Sequence, residues 1–368
     1  MAYTTIDDPS AYFQVDLHTG DGSGSTETFD GNSDMQPDWL WFKSRSVTGD
    51  HGLVDTSRGK PSSNNSFFIL KSNSSNGDQT VNSGSDFTAM NSDGYTYGGA
   101  HHLDLATNTS QNAVWGWKAN GGTTTSNGAS GDIKASVTQR EDTAKFAICT
   151  YTGTGISSGQ SHRVNHGLGT TPHVMMFKSR GASGDWVVYH HKNTDAPETD
   201  YLVLNEGNAT ADSANKFNDT APNTSYATIG GDDNISSGTI VLYSFAEVQG
   251  YSKFGSFTGN GSTDGPFIYT GFKPAFGIFK RTNSTGQWYM MTGKIGDDGQ
   301  DGNPLEDRLE ANTTAAESDM GGGYDFVSNG IKNRHSGGEI NGSGDSFIYM
   351  AFAHQPFVSS EGVPTTAR

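Results

Sequence analysis

The chain has 368 residues, of which 32% are hydrophobic and 49 are glycine, and its formal net charge at pH 7 is −17. So acidic a chain repels nucleic acid and anionic membranes, and neither is expected as a partner. No apolar run reaches the length of a membrane span and no signal-type segment opens the chain, so membrane insertion is not expected. The 20 Phe, 14 Tyr and 6 Trp exclude a disordered chain, because disorder goes with few aromatic residues.

Residues 1–11 are predicted to form a polar N-terminal arm. The first strand-like run follows at residues 12–18 and ends in Thr19-Gly20-Asp21-Gly22. The same Thr-Gly-x-Gly ending recurs at residues 152–155 and 258–261. A phosphate-binding loop would need a helix to begin directly after the glycines, and polar turn residues follow instead. The three motifs are therefore predicted to be turns.

A second phrase recurs at residues 37–43, 172–178 and 274–280, where a proline is followed five positions later by Phe-Lys. The short apolar run between them predicts a buried strand that the proline introduces. The lysine that ends each phrase is predicted to mark the exit of the strand to solvent, with its stem covering apolar surface. These lysines are Lys43, Lys178 and Lys280.

After each Phe-Lys, the same order of segments follows at nearly equal intervals: a second strand, a Leu-rich stretch, a short strand and an apolar closing strand. Short strands separated by Gly, Asn, Asp and Ser turns indicate an all-β chain of three tandem β-sandwich, jelly-roll-like modules. The predicted organisation is an arm at 1–11, modules at 12–119, 145–250 and 251–357, a Gly/Ser/Thr-rich insert or linker at 120–144, and a C-terminal tail at 358–368. Only the stretch 305–320 is predicted to hold a short helix.

The sequence offers metal-binding patterns that fail on inspection. In the pairs His101-His102 and His190-His191, adjacent strand residues face opposite ways and cannot chelate one ion. His162 and His166 are four apart, but they lie in a glycine-rich stretch where a helix is not expected, so loop histidines are predicted.

Two acidic stretches, 231–234 and 297–303, suggest calcium. An EF-hand counted from Asp297 places Arg308 where a carboxylate is required, so that motif fails. Solvated acidic turns are favoured, and a calcium site of another type stays open.

No catalytic, cofactor-binding or metal-binding residue is predicted, and no cofactor. Glycoside hydrolysis needs a pair of carboxylates, and the candidates Glu141, Glu198, Glu206 and Glu247 do not recur between the modules. Cys149, the single cysteine, lies in an apolar run and is predicted to be a small buried side chain. A chain without disulfides fits assembly in a reducing cytoplasm.

Trp39 and Trp41 alternate with Leu40 and Phe42, so the two pairs should point to opposite faces of one strand. Exposed tryptophans on such a sheet would suit stacking on sugar rings. We favour burial of both faces, between the sheet and a neighbouring module or subunit.

The whole chain resembles a family of structural proteins of marine tailed bacteriophages. The resemblance is carried by residues 36–45 (QPDWLWFKSR), 166–169 (HGLG), 245–254 (FAEVQGYSKF) and 259–266 (GNGSTDGP). It implies a virion component, either a tail fibre or a similar appendage on the virion surface, and it supplies no catalytic residue. Such appendages are usually homo-oligomers, and a trimer is expected here, with other virion proteins as partners.

Three functions are compatible with these features. The first is a surface protein that contributes to host attachment by binding a cell-surface glycan or protein. The second is a purely structural role, as a capsid decoration or tail collar protein. The third is a glycan-binding or glycan-cleaving enzyme.

Overall fold

Strands make up almost all of the regular structure. The computed structural model describes residues 2–99, 103, 105–107, 109–126, 133, 134, 136–295 and 302–365. It is 42% strand and 3% helix, which confirms the all-β prediction. The helices are α1 (Ala214–Phe217) and α2 (Asp233–Ser236), besides a 3₁₀ turn at Pro9–Ala11. Within the described ranges, no helix has the length and apolar character that crossing a membrane requires.

Most strands belong to three segments of the chain, which are the ranges 12–119, 145–250 and 251–357. Those of segment 1 are β1 (Phe13–Thr19), β2 (Ser25–Glu27), β3 (Trp39–Ser44), β4 (Gly52–Asp55), β5 (Phe87–Met90), β6 (Tyr95–Tyr97) and β7 (Gln111–Trp117). Between segments 1 and 2 lie β8 (Thr125–Ser126), β9 (Ile133–Lys134) and β10 (Ser136–Glu141). Those of segment 2 are β11 (Phe146–Thr154), β12 (His162–Asn165), β13 (Val174–Ser179), β14 (Val187–His190), β15 (Asp200–Val203), β16 (Ala211–Asp212), β17 (Tyr226–Ile229) and β18 (Ser237–Phe245). Those of segment 3 are β19 (Ser252–Thr258), β20 (Phe267–Tyr269), β21 (Phe272–Arg281), β22 (Trp288–Thr292), β23 (Leu305–Glu310), β24 (Ser318–Val327), β25 (Gly330–Asn333) and β26 (Ser346–Pro356).

The main sheets of the three segments share one strand order. They run β1-β7-β3-β4, β11-β18-β13-β14 and β19-β26-β21-β22, so the closing strand always lies between the first strand and the Phe-Lys strand. The registers agree as well. The cross-strand pairs Trp41 with Trp115, Met176 with Tyr243 and Ile278 with Met350 occupy equivalent places. The recurrence seen in the sequence is thus a recurrence of strand pairing.

One face of each main sheet contributes to a single shared core. Trp39 and Phe13 of segment 1 meet the other two segments there: the Trp39 ring stacks on Tyr243 at a centroid distance of 4.6 Å, and the Phe13 ring on Phe352 at 5.2 Å. The opposite faces pack into three separate cores, each built from one segment. Every second residue of a strand turns to the same face, which is why one run of apolar residues serves two cores.

Both faces of the Trp39–Phe42 run are buried, as predicted. Trp39 and Trp41 lie in the shared core, whereas Leu40 and Phe42 lie in the core of segment 1, and all four are at most 1% exposed. The tryptophans therefore pack against the other segments of the same chain and present no surface to a sugar.

The stretch 305–320 contains strands β23 and the start of β24, so the helix prediction is wrong. Leu305 and Leu309 are four residues apart, the spacing of one helix face, but a register shift between Leu305 and Asp307 places Leu305 in the core of segment 3 and Leu309 in the shared core. Pairing with β22, where Met290 lies opposite Leu309, draws the run into the sheet despite its helix-forming residues.

The range 120–144, predicted to be an insert or linker, contains β10, which pairs with β11 and extends the second main sheet. Tertiary pairing accounts for this, because Val137 to Glu141 lie opposite Thr150 to Phe146 in continuous register.

Each Thr-Gly-x-Gly motif ends a strand where two stretches of backbone touch. A Cβ on Gly20, Gly153 or Gly259 would lie 2.2–2.3 Å from a carbonyl oxygen of the facing backbone. The next glycine of each motif has a φ between +67° and +89°, a conformation that other residues rarely adopt. In segment 2 the strand continues to Thr154, so the turn begins there only at Gly155.

We expect Gly259→Ala to lower the free energy of unfolding by about 1–3 kcal/mol, because the added methyl group overlaps the Gly342 carbonyl oxygen at 2.3 Å. Urea unfolding followed by tryptophan fluorescence measures it. Gly181→Ala is the matched control, since its nearest neighbour would be a side-chain oxygen at 3.4 Å. Equal stabilities of the two variants would contradict the close-contact explanation.

Candidate functional site

The three Phe-Lys lysines are buried, so the prediction that they exit to solvent is wrong. Lys43 and Lys178 are 0% exposed and Lys280 is 1% exposed. Their ammonium groups donate to backbone carbonyls of nearby turns, as in the 2.8 Å bond from Lys43 to Ser44. A buried charge is tolerated only where such acceptors replace water, and these turns supply them. Burial nevertheless lowers the pKa of Lys178 and Lys280 to about 8.

Two of these lysines also join neighbouring segments. Lys178 of segment 2 donates to Ser75 of segment 1 at 2.7 Å, and Lys280 of segment 3 donates to Gly207 of segment 2 at 3.4 Å. Each lysine therefore ties its strand to a loop of the preceding segment.

A ring N–H at the start of each second strand makes a further contact to the preceding segment. The donor–acceptor pairs are Trp186 to the Lys71 carbonyl (2.8 Å), Trp288 to the Val203 carbonyl (2.9 Å) and His51 to the Glu310 carbonyl (2.9 Å). Since the last pair joins segment 1 to segment 3, the contacts close a ring. The bidentate Arg45–Glu317 ion pair, with both N–O distances at 2.7 Å, strengthens this closing contact.

The position after each phrase proline shows where segment 3 departs from the repeat. In segment 1 it is Asp38, whose buried carboxylate accepts hydrogen bonds from the backbone N–H groups of Ala119 (2.7 Å), Gly121 and Gly122. In segment 2 it is His173, whose Nδ1 accepts from the N–H of Glu247 at 3.0 Å. Burial raises the pKa of Asp38 and lowers that of His173.

In segment 3 the same position is Ala275, which has no acceptor in its side chain. The pairing of β21 with β26 shifts register on both sides of Pro274, passing over Ala275 on one strand and His354 on the other. Bulges of this kind re-aim side chains and are frequent beside functional sites. Ala275 and His354 thus lie at the place where, in segments 1 and 2, the side chains of Asp38 and His173 accept hydrogen bonds from the backbone.

A cleft of about 340 Å³, which we call the 275 cleft, opens at this place between segments 1 and 3. Its lining combines apolar with polar residues, a composition and size typical of small-molecule sites. The apolar lining residues, which we call the floor, are Phe13, Val15, Pro274, Ala275 and Ala353; Ala275 is half-buried and the other four are buried. The remaining lining residues, which we call the rim, are Asp8, Ser10, Gln14, Asp30, Gly31, Asn32, Lys273, Gly293, Lys294, His354 and Gln355.

Hydrogen bonds hold the wall of the 275 cleft in place. The buried Gln14 amide donates to the carbonyls of Ser10 and Ser33, both at 2.9 Å, and accepts from the Gly31 N–H at 2.8 Å. Lys294 donates to the Val15 carbonyl at 2.9 Å and pairs with Asp30 at 2.5 Å. The cleft is therefore preformed, because the wall loop, residues 30–33, is hydrogen-bonded to the arm and to β1.

The histidines and acidic stretches singled out in the sequence have structural roles where they are described. His190 is the last residue of β14 and donates to the Tyr349 carbonyl, and burial lowers its pKa to about 3. His162 lies on β12, so the loop prediction is wrong for His162 and His190, because strand pairing extends through them, whereas His166 and His191 lie outside the strands, as predicted. Asp232 caps α2 and pairs with Lys216 at 2.5 Å. His101, His102 and residues 297–301 lie outside the described residues.

The candidate glutamates with hydrogen bonds in the described ranges have separate partners: Glu141 accepts from the N–H of Thr143 at 2.9 Å. Glu247 instead binds His191, Lys253 and the Phe254 N–H, and these contacts lower its pKa to about 2 despite burial. Cys149 is fully buried, as predicted, and its thiol contacts the Asn165 carbonyl at 3.2 Å. No group of three or more His, Cys, Asp or Glu side chains in the described part of the chain is placed to hold a metal.

The 275 cleft was not found by searching the sequence for catalytic patterns. The sequence does contain a signal for it. The residue after the proline is Asp38, His173 and Ala275 in the three phrases, and only the alanine lacks a polar side chain. Comparison of the repeats position by position would have identified it.

We expect stability to fall as the pH is lowered from about 6.5 towards 3. His51 and His190 have pKa values of about 3 in the folded chain, below their ordinary 6.5, so the unfolded chain binds more protons in this range. Each contributes a loss on the order of 2 kcal/mol between pH 7.5 and 5. Urea unfolding at the two pH values measures it. His190→Gln should show the smaller loss, and equal stability of the wild type at both pH values would contradict the assignment.

The comparisons with known proteins give one match. The model of a domain of unknown function, DUF7483, matches residues 8–356. No curated protein and no solved structure matches the chain. Because the match covers nearly the whole chain, including all three Phe-Lys phrases and the 275 cleft, the chain belongs to the DUF7483 family.

Proposed function

We propose that the chain is a non-enzymatic structural protein of a bacteriophage virion, a tail fibre or similar surface appendage that contributes to host attachment. The observation that carries the proposal is the 275 cleft, a preformed concave site on a scaffold whose segments are locked to one another. The resemblance of residues 36–45 and 245–254 to phage structural proteins supports it. A cell-surface glycan or protein is the proposed ligand.

The proposed architecture is three tandem β-sandwich modules, at 12–119, 145–250 and 251–357. What supports it is the second, segment-specific core under each main sheet, where smaller strands pack. In segment 1 these are β2-β6-β5, and in segment 2 they are β17 and β12, to which β9 from the stretch before segment 2 is added. The shared core would then hold the three sandwiches together.

We further propose that copies of the chain associate, as a trimer, through the edge strand β20. Phe267 and Tyr269 on this strand are 49% and 55% exposed, and the Tyr269 hydroxyl contacts that of Tyr3 in the arm at 3.1 Å. The corresponding edge strand of segment 1 presents the polar Thr26 instead, paired with Thr96. An exposed aromatic pair on a sheet edge suits contact with another subunit.

The oligomer contact is tested with Phe267→Ser/Tyr269→Ser, which should shift the mass measured by light scattering from that of a trimer to that of a monomer. Thr26→Ala on β2, the equivalent edge strand, is the control and should leave the mass unchanged. A trimer that survives the first double substitution would exclude this edge as the interface.

Attachment is tested with antibodies raised against the purified chain. We expect them to label intact particles at the tail and to slow adsorption to host cells several-fold, because they cover the proposed ligand site. Label spread over the head at high copy number would instead favour the alternative of a capsid decoration protein, and a label at the tail neck without an effect on adsorption would favour a collar. Particles that bind no antibody would overturn the virion assignment.

The glycan-cleaving alternative has its own test, which is release of reducing sugar from host polysaccharide. We expect none, since Glu247 is held in internal contacts. Release that is lost on substitution of one carboxylate pair would establish an enzyme.

A further inference from the structure

Four features of the 275 cleft bear on what it binds. The first is its origin: Ala275 stands where Asp38 and His173 fill the equivalent places of the other two segments and accept a backbone N–H. The space of about 340 Å³ thus lies beside the one of these three positions that has no acceptor in its side chain. A volume near the lower end of the range for ligand pockets suits one compact ring better than an extended chain.

The second feature is the floor. Pro274 and Ala275 present carbon atoms to the cleft, whereas the backbone groups of Gly31 and Ser33 on the wall loop already have the Gln14 side chain as their hydrogen-bond partner. An apolar floor beneath a polar rim suits a ring that is apolar on one face and carries hydroxyl groups around its edge. A pyranose has this form, and a free phosphate does not.

The third feature is the charge of the rim. Lys294 is neutralised by Asp30, and the Asp8 carboxylate accepts from the Ser10 N–H at 3.0 Å and the Ser33 hydroxyl at 2.6 Å. The Lys273 ammonium group has no ion pair and no hydrogen bond with any described residue. It is thus a positive charge at the rim that has no counter-ion among the described residues, although the net charge of the chain is −17.

The fourth feature is the placing of neutral donors and acceptors. Gln355 lies directly opposite Lys273 in the register of β26 and β21. Residues opposite each other in a sheet have Cβ atoms about 5 Å apart, so the amide group of Gln355 and the ammonium group of Lys273 can contact the same ligand. The side chains of Gln355 and of Asn32 on the far wall make no hydrogen bond within the described ranges, and both line the cleft.

We propose that the 275 cleft binds one acidic sugar unit, a pyranose that carries a carboxylate group. The ring lies over Pro274 and Ala275, the carboxylate pairs with Lys273, and the hydroxyl groups bond to Gln355 and Asn32. The inference rests on the proposed function, since it names the class of glycan that the attachment site recognises.

The probes are methyl glucuronide and the methyl glycoside of sialic acid, with methyl glucoside as the neutral comparison. Binding to the full chain is followed by ligand-detected NMR and calorimetry. We expect at least one acidic probe to bind with a Kd of about 1 mM, a value common for single small ligands, and the neutral probe to bind at least tenfold more weakly. Raising the salt from 0.05 to 0.5 M should weaken the acidic probe several-fold.

Three variants localise the binding. Lys273→Gln should reduce the affinity for the acidic probe at least tenfold and leave that for the neutral probe unchanged. Ala275→His restores the residue type of segment 2 and should abolish binding of both probes. Lys192→Gln removes an equally charged exposed side chain outside the cleft and should change nothing. Melting temperatures confirm that each variant folds, and Lys273→Gln suffices should Ala275→His not fold.

The outcomes separate this inference from the proposed function. Failure of both acidic probes to bind, or binding that Lys273→Gln does not weaken, overturns the acidic-sugar site even where antibodies block adsorption. Binding that depends on Lys273 in a chain whose antibodies never label virions upholds the site and overturns the virion role.

Discussion

The structure depends on the burial of positively charged and ring N–H donors against backbone carbonyls of the preceding segment. An ammonium group removed from water is costly unless acceptors replace its hydration, so the loops that supply those acceptors cannot move away independently. Lys178 and Trp186 place segment 2 on segment 1 in this way, and His51 places segment 1 on segment 3. A chain of short strands and many glycines thereby acquires a closed set of contacts.

The shared aromatic core acts together with these contacts. Rings from different segments stack within it, as Trp39 does on Tyr243, and each ring removes a large area from water. Large aromatic side chains thus compensate, in the area they bury, for the hydrophobic fraction of only 32%. Hydrogen bonds to specific carbonyls fix the orientation that nondirectional burial leaves undetermined.

Strand positions could be predicted from the sequence because they follow from short-range patterns. The proline before Phe-Lys and the glycines after the first strand each mark a local constraint on the backbone, and both recur three times. The burial of Lys178 and the strand at residues 305–310 could not be predicted this way, because both depend on partners distant in the chain. Local propensity and side-chain charge predict secondary structure and burial poorly where tertiary contacts determine them.

The candidate site was predictable only through the repeat. A residue such as Ala275 carries no chemical signal by itself, and it gains meaning when Asp38 and His173 are seen to fill the same place elsewhere. In a repeated scaffold the copies can be compared with one another, and a position that carries a hydrogen-bonding side chain in two copies shows what the fold ordinarily places there. One copy lacks this hydrogen bond and bulges its strands, while the contacts that join it to the neighbouring segments are kept. The cleft is therefore a local departure that the rest of the fold is rigid enough to sustain.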